Sequence, residues 1–305
     1  MSEGSPTEPF AVPDSYIPFP GLAAGMPDVA SESVLVDGHR IHYLHGGSGP
    51  TLLLLHGGII DAAHVSWGEV IEPLTGHFHV VAPDLLGYGD SERPDVDYTM
   101  ERHTAVVREF VETLDLAPVS VVGLSMGGGV GIGLALSDAD MVERLVLVDA
   151  YGLGGDLPNG KLTWLLARLS VLNKISMGLL ARSPGLVKAS LGNIASDPDE
   201  LSPEVVDEVY ALAKQPGAGR PYRSFRASEA TWRGARTDYT PRLPEIDVPT
   251  LLIHGAEDGI VPVEWARRAA DRIPDARLEI LQDVAHWPPR EAPETVVDLL
   301  DGFCR

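Results

Sequence analysis

The 305-residue sequence predicts an α/β fold, built on a doubly wound and mainly parallel sheet. Short apolar runs without alternation, such as residues 51–55 and 119–123, are typical of strands that are buried on both faces. Amphipathic segments with helical periodicity, such as residues 100–114, lie between these runs. Strand, helix and strand in this order require crossover connections, which are right-handed in such sheets.

The individual elements follow in chain order. Residues 33–36 and 41–44 flank Asp37-Gly38, a dipeptide that is typical of tight β-hairpin turns. Buried strands are predicted at 51–55, 78–82, 119–123, 145–149 and 250–254, with a weaker strand at 277–281. Helices are predicted at 100–114, 263–273 and 293–303.

One interval interrupts this alternation. About 100 residues separate Asp149 from Thr250 without a convincing strand, and segments 162–180 and 203–212 have helical patterns. A helical lid over the carboxyl ends of the strands would exclude water from a site there. The sequence therefore predicts a core of residues 31–152 and 245–305 with a cap of residues 153–244. Residues 1–30 are rich in proline and predict an extended N-terminal arm.

The most informative motif is Gly123-Leu124-Ser125-Met126-Gly127, which lies between a predicted strand and a predicted helix. Such a Gly-x-Ser-x-Gly turn is so tight that its flanking positions require glycine, and it exposes the serine oxygen at the end of the strand. The motif predicts Ser125 as a nucleophile. A phosphate-binding loop is disfavoured, because the spacing differs from that of a P-loop and no lysine follows.

A serine hydroxyl needs a base to remove its proton, usually a histidine that is oriented by a carboxylate. Asp258 lies in a turn after the strand at 250–254, and His286 lies between the last strand and the last helix. The sequence predicts these two as acid and base, with Asp149 as the alternative acid. Glu257 is adjacent to Asp258 but fits the pattern less well. No metal site is predicted.

A tetrahedral intermediate needs two backbone donors that point at its oxygen. The N–H of Met126 follows the predicted nucleophile, and the N–H of Gly58 lies in the loop after the third strand, so both are predicted donors. Gly57 would let the backbone approach a substrate closely. His56 is expected to shape this loop.

With these motifs, the chain resembles the α/β-hydrolase superfamily over roughly residues 33–305. Pro-Asp-Leu-Leu-Gly-Tyr-Gly-Asp-Ser at residues 83–91 also matches its pattern. The resemblance implies an eight-stranded, mostly parallel sheet with a helical lid inserted after the sixth strand. It also implies Ser125 as nucleophile, Asp258 as orienting acid and His286 as base. Dehalogenases and epoxide hydrolases of this fold use an aspartate nucleophile, and the serine at position 125 disfavours those reactions.

Within the superfamily, the chain looks most like the branch of meta-cleavage-product hydrolases, which cleave C–C bonds, and related small-molecule esterases and lactonases. The motifs that carry this resemblance are Ser-Met-Gly-Gly at residues 125–128, Ser91 with Pro94, Asp97-Tyr98-Thr99, a lid of the size of four helices, and His286-Trp287.

Two departures favour an uncharged substrate. C–C hydrolases usually have asparagine before the nucleophile, where this chain has Leu124. They also have a lid arginine for the substrate carboxylate, whereas residues 203–212 contain Tyr210 and no arginine. Nearby arginines that are alternatives are Arg220, Arg223 and Arg226. The expected activity is therefore hydrolysis of a small, largely apolar ester or lactone, with C–C hydrolysis second.

Other functions on the same fold stay open at this point, namely a non-hydrolytic biosynthetic enzyme or a ligand receptor. The residues expected to shape a substrate pocket are Gly57, Leu124, Trp164, Met177 and Trp287. The net charge of −21 disfavours nucleic acid and anionic membranes as partners. A small-molecule substrate and no cofactor are expected, and the oligomeric state stays open, a homodimer included.

Localisation is predicted from three further features. The sequence lacks a run of about 18 apolar residues, so no membrane helix is expected. Its single cysteine, Cys304, excludes an intramolecular disulfide. No signal-peptide pattern is apparent at the N-terminus. Together these features predict a cytoplasmic protein.

Overall fold

A computed structural model describes residues 26, 28–156 and 177–305. In chain order, the strands of these residues are β1 (Val29–Val36), β2 (His39–Gly46), β3 (Thr51–Leu55), β4 (His79–Pro83), β5 (Val119–Leu124), β6 (Val142–Val148), β7 (Ala230–Thr231), β8 (Gly234–Ala235), β9 (Thr250–Gly255) and β10 (Ala276–Leu281). Eight of them form one sheet in the order β1-β2-β4-β3-β5-β6-β9-β10. β2 is antiparallel to both β1 and β4, and the remaining pairs are parallel. The predicted eight-stranded, mostly parallel sheet is confirmed.

The α-helices lie on both faces of this sheet. In chain order, those of the described residues are α1 (Ala63–Leu74), α2 (Met100–Thr113), α3 (Met126–Ser137), α4 (Pro184–Leu191), α5 (Pro203–Ala213), α6 (Arg220–Glu229), α7 (Val263–Ala270), α8 (Pro288–Glu291) and α9 (Pro293–Cys304). α2, α3 and α7 contribute to one apolar cluster, and α1 and α9 to the other. Successive leucines of β3 alternate between the clusters, with Leu53 in the first and Leu52 and Leu54 in the second. Burial on both faces explains the unbroken apolar runs of the sequence.

The β1–β2 hairpin turns at the predicted dipeptide. Asp37 and Gly38 have φ angles of 49° and 75°, and two successive positive φ angles define the hairpin turn that matches the twist of the strands. β1 begins at Val29, inside the range that the sequence predicts for the arm. The other residues of that range, apart from Met26 and Asp28, lie outside the described residues.

The interval between β6 and β9 contains α4, α5 and α6, so its predicted helical character is observed in the part that the structure describes. The predicted helix at 162–180 lies outside that part except for residues 177–180, which are helical. The expectation of no strand is wrong, because β7 and β8 pair in a short antiparallel hairpin. That residues 153–244 act as a cap stays a prediction. Among the described residues, no helix has both the length and the apolar character that crossing a membrane would require.

His103 is a buried titratable group in the core. It lies on α2, is 0% exposed, and neither ring nitrogen has a hydrogen-bond partner among the described residues. The rings of Tyr88, Tyr98 and Phe225 surround it at centroid distances of 6.0 to 6.5 Å. Burial, with a smaller repulsion from His56, lowers the pKa of His103 to about 3.

We expect His103→Phe to reduce the acid sensitivity of folding. Because the folded pKa lies below that of the unfolded chain, the unfolded state binds the proton first, and stability falls as the pH drops from about 6.5 towards about 3. By this linkage, His103 costs about 2 kcal/mol of unfolding free energy near pH 5, relative to neutral pH. Urea unfolding at both pH values measures the difference. The exposed His77→Gln is the control, and an unchanged pH dependence in His103→Phe would contradict the assignment.

Candidate active site

Ser125 lies at the junction of β5 and α3, in a turn that tolerates no side chain at its flanking glycines. A Cβ atom on Gly123 would lie 2.4 Å from the carbonyl oxygen of Gly127, and a Cβ on Gly127 would lie 2.4 Å from that of Leu55. Ser125 itself has a φ of 51°, a left-handed conformation that costs energy for a residue with a side chain. Its N–H donates to the Val148 carbonyl at 2.9 Å, which fixes the turn at the end of β6.

A continuous hydrogen-bond chain starts at this serine. The Nε2 atom of His286 lies 3.0 Å from the Ser125 Oγ, and its Nδ1 atom lies 2.7 Å from the Oδ2 of Asp258. Since a carboxylate only accepts, Nδ1 carries the proton and Nε2 accepts from the serine hydroxyl. The structure thus brings together the three residues that the sequence predicts as nucleophile, acid and base.

Asp258 is held as an ionised carboxylate. Its Oδ1 accepts from the backbone N–H groups of Ile260 at 2.7 Å and Val261 at 3.0 Å. Burial acts to raise the pKa of Asp258, but the hydrogen bond and charge of His286, a hydrogen bond with Asp149 and the N–H of Val261 hold this pKa below its ordinary value. An ionised Asp258 stabilises an imidazolium when His286 takes up a proton.

Asp149, the alternative acid, is also adjacent. One oxygen of each aspartate and a ring nitrogen of His286 all lie within 4.8 Å of one another, close enough for a metal ligand set. The ring Nδ1, however, bonds Asp258 rather than Asp149, and Oδ1 of Asp149 accepts from the N–H of Gly255 at 3.1 Å. Within this cluster, His286 is therefore hydrogen-bonded to Asp258 and Asp149 to the backbone of Gly255.

The loop after β3 presents a backbone donor next to the serine. The N–H of Gly57 is already bonded to Oδ2 of Asp61 at 2.9 Å, whereas the N–H groups of Gly58 and Met126 donate to none of the described residues. A Cβ atom on Gly58 would lie 3.3 Å from the ring of Tyr222 and 3.7 Å from the Met126 sulfur. Gly58 therefore lies next to both the Tyr222 ring and the Met126 side chain, and the role of the two N–H groups in an oxyanion hole stays a prediction.

Asp61 fixes this loop, and the sequence analysis did not single it out. Its buried carboxyl accepts from the N–H groups of Gly57 and Ala62 and from the Ser66 hydroxyl. The indole N–H of Trp287 donates to the same Ser66 Oγ at 3.3 Å. This network connects the loop of Gly58 with the segment that carries His286. Only the position of an aspartate a few residues after Gly57 could have suggested it.

Glu291 fixes the segment of His286 itself. Its carboxylate accepts from the N–H groups on either side of the histidine, Ala285 at 3.2 Å and Trp287 at 3.0 Å, and from Ser196 at 2.7 Å. The residue therefore holds the histidine loop and contacts the segment between β6 and β9. No sequence pattern indicated this role.

A protein-family model described as the alpha/beta hydrolase fold matches residues 50–293, which is most of the chain. The chain belongs to the α/β-hydrolase family. The hydrolase is 31% identical over 280 residues to an uncharacterised protein of Mycobacterium tuberculosis, covering 88% of this chain and 79% of the relative. It is 30% identical over 286 residues to a 2-hydroxy-6-oxo-6-(2'-aminophenyl)hexa-2,4-dienoic acid hydrolase of Metapseudomonas resinovorans, covering 90% and 92%.

Solved structures give the same family assignment. A serine hydrolase involved in carbazole degradation aligns with a TM-score of 0.76 at 25% identity, covering 90% of this chain and 98% of that one. A bacterial membrane phospholipase A aligns with a TM-score of 0.75 at 26% identity, covering 93% and 90%. The serine hydrolase of carbazole degradation and the phospholipase A are thus about equally similar to this chain in backbone structure.

The residues predicted to line the hydrolase's pocket occupy different environments. A Cβ atom on Gly57 would lie 3.6 Å from the Ser125 Cβ and 3.8 Å from Leu124, so these residues adjoin the nucleophile. The side chain of Met177 packs on Gly219, next to α6. Trp287 is buried in the apolar cluster that also contains α1. Trp164 lies outside the described residues. Their role in a pocket stays a prediction.

Proposed function

We propose that this α/β hydrolase cleaves small, largely apolar esters or lactones through an acyl-enzyme on Ser125. The observation that carries the proposal is the unbroken hydrogen-bond chain from the Ser125 hydroxyl through His286 to Asp258. Such a chain generates a serine nucleophile for attack on a carbonyl carbon.

In the acylation step, His286 Nε2 takes the hydroxyl proton while Ser125 Oγ bonds to the carbonyl carbon. The carbonyl oxygen becomes an oxyanion, and the N–H groups of Gly58 and Met126 stabilise it. The imidazolium then gives its proton to the leaving oxygen as the ester bond breaks, so an alcohol leaves and the acyl group stays on Ser125. For a lactone, the leaving alcohol remains attached to the acyl group.

In the deacylation step, His286 takes a proton from water, and the hydroxide attacks the acyl carbon. Collapse of the second tetrahedral intermediate breaks the bond to Ser125, and the proton on His286 returns to the serine oxygen. The products are a carboxylic acid and an alcohol, and the enzyme is unchanged. Asp258 holds the imidazole tautomer and stabilises its charged form in both steps.

The surroundings of the nucleophile favour an uncharged substrate. Leu124 is 2% exposed and adjoins Ser125, and the Tyr222 ring covers Gly58. Arg220 is one of the nearby cations. Its guanidinium donates to the Pro94 carbonyl and lies 3.2 Å from the carboxylate of Asp95. An arginine that is engaged in this way is less available to a substrate carboxylate.

A second candidate is hydrolysis of a C–C bond in a vinylogous diketone that carries a carboxylate. The relative from Metapseudomonas is named for such a substrate. Arg226 supports this candidate, because its guanidinium lies 5.8 Å from the centroid of the Tyr222 ring that covers Gly58. No carboxylate partner of Arg226 is found among the described residues. A substrate carboxylate could therefore pair with it.

The test is kcat/KM for a p-nitrophenyl ester series, a γ-lactone and a 2-hydroxy-6-oxohexadienoate. We expect the esters or the lactone to be the preferred substrates, with Arg226→Gln changing their kcat/KM by less than about threefold, as for a surface change. Arg223→Gln, on the same helix, is the matched control.

Cleavage of the dienoate alone, with a loss of about tenfold or more in Arg226→Gln, would establish the second candidate instead. Labelling of Ser125 by a fluorophosphonate without turnover of any substrate would favour a receptor or a non-hydrolytic enzyme.

A further inference from the structure

We propose that Asp149 is a neutral carboxylic acid in the folded hydrolase, and that it donates its proton in a hydrogen bond to the Asp258 carboxylate. Asp149 is then a positioning residue that extends the chain Ser125, His286, Asp258 by a fourth member. This inference rests on the proposed roles of those three residues in hydrolysis.

The two oxygens of Asp149 have different surroundings. Oδ1 accepts from the N–H of Gly255 at 3.1 Å, and the Nε2 atom of His254 lies 3.4 Å away but donates to the Val261 carbonyl at 2.9 Å. Oδ2 is buried and has no donor among the described residues, and the whole side chain is 0% exposed. A charged oxygen in that position would be desolvated without a hydrogen bond, which is costly. A hydroxyl at Oδ2 removes this cost, because it needs an acceptor instead.

We assign this acceptor to Asp258, because one oxygen of each aspartate lies within 4.8 Å of the other. Its carboxylate receives His286 and two backbone N–H groups, and a carboxylate has about four lone-pair sites, so a further donor fits. Because these oxygens of Asp149 and Asp258 lie within 4.8 Å of each other, the two buried carboxyl groups do not both ionise. Asp258 has more donors than Asp149, so the charge resides on Asp258 and the proton on Asp149.

The other charged and titratable groups around the pair agree with this distribution. His286 faces Asp258, and His254 lies between the two carboxyls, 3.6 Å from Asp258 Oδ2. Glu291 adds a repulsive negative charge to Asp149. Burial first, and then the charge and hydrogen bond of Asp258, raise the pKa of Asp149 well above its ordinary value.

The backbone directs the Asp149 side chain to this position. The residue follows β6 with a φ of 43°, and its N–H donates to the Ile253 carbonyl of β9 at 3.0 Å. A left-handed conformation is tolerated by aspartate and asparagine better than by most other residues. Asp149 is thus held between the end of β6, which accepts from the N–H of Ser125, and β9, which leads to Asp258.

The experiment compares Asp149→Asn, Asp149→Leu and Asp258→Asn by kcat/KM against pH and by infrared spectroscopy. An asparagine amide retains a donor towards Asp258, so we expect Asp149→Asn to stay within about threefold of the wild type. Leucine has no donor, so we expect Asp149→Leu to lose about tenfold in kcat and to move the acidic limb of the profile to higher pH. The wild type should show the C=O stretch of a buried, protonated carboxylic acid at neutral pH, and both Asp149 variants should lack it.

Two results would overturn the proposal. If Asp149→Asn is as inactive as Asp258→Asn, Asp149 acts as an ionised acid towards His286. If the infrared band is absent from the wild type, Asp149 is not protonated. Should Asp149→Leu fail to fold, Asp149→Asn and the infrared band still decide. The band is measured without substrate, so its presence in a protein that hydrolyses no ester would reject the proposed function and leave the proton on Asp149.

Discussion

Ser125→Ala should lower kcat by about 10⁶-fold, as removal of a serine nucleophile does in other triad enzymes. The hydroxyl is the group that bonds to the carbonyl carbon, and it is the serine hydroxyl that lies 3.0 Å from the His286 Nε2. Stability should change little, because the turn is fixed by backbone hydrogen bonds and glycine packing rather than by the hydroxyl. Steady-state kinetics and thermal unfolding measure the two effects.

The control is Ser137→Ala, at the exposed end of the same helix α3. A small fluorophosphonate should add to the wild type and to Ser137→Ala, with the adduct mapping to Ser125, and should not add to Ser125→Ala. If Ser125→Ala keeps more than a few per cent of the wild-type kcat, or is still labelled, another residue is the nucleophile and the proposed mechanism fails.

The central strands and the nucleophile turn could be predicted because their signals are local. β3 is observed as predicted, since burial on both faces makes every residue of the strand apolar. The turn at Ser125 is fixed by glycines that lie within a few residues of it. β1 was predicted to begin at residue 33 but begins at Val29, because this edge strand is mostly exposed and its polar residues hide its start.

The supports of the site could not be predicted because they act over long sequence distances. Glu291 accepts from Ser196, and Asp61 is connected to Trp287 through Ser66. These partners lie far apart in the sequence, so no local pattern indicates that they meet. The Tyr222 ring reaches Gly58 from a helix between β6 and β9. The short β7–β8 hairpin was missed because two-residue strands are too short to show alternation.

Gly255 is the position where a single methyl group should disturb the site most without touching a predicted catalytic residue. It ends β9, opposite Leu281 of β10. A Cβ atom there would lie 1.9 Å from the carbonyl oxygen of Ala285 and 2.5 Å from that of Val284. Both are backbone atoms, so relief of the clash has to move the segment that precedes His286.

We therefore expect Gly255→Ala to lower kcat/KM by about 10²-fold, the effect of displacing a reacting group by about 1 Å. It should also lower the unfolding free energy by about 1–3 kcal/mol, as overpacking of a tight site does. Gly259→Ala in the same loop is the matched control, because a Cβ atom there meets nothing within 4 Å, and its activity should stay close to that of the wild type. Kinetics and urea unfolding of both variants provide the comparison. Wild-type activity in Gly255→Ala would show that the position of His286 does not depend on this contact, and that the backbone of β9 does not set the geometry of the site.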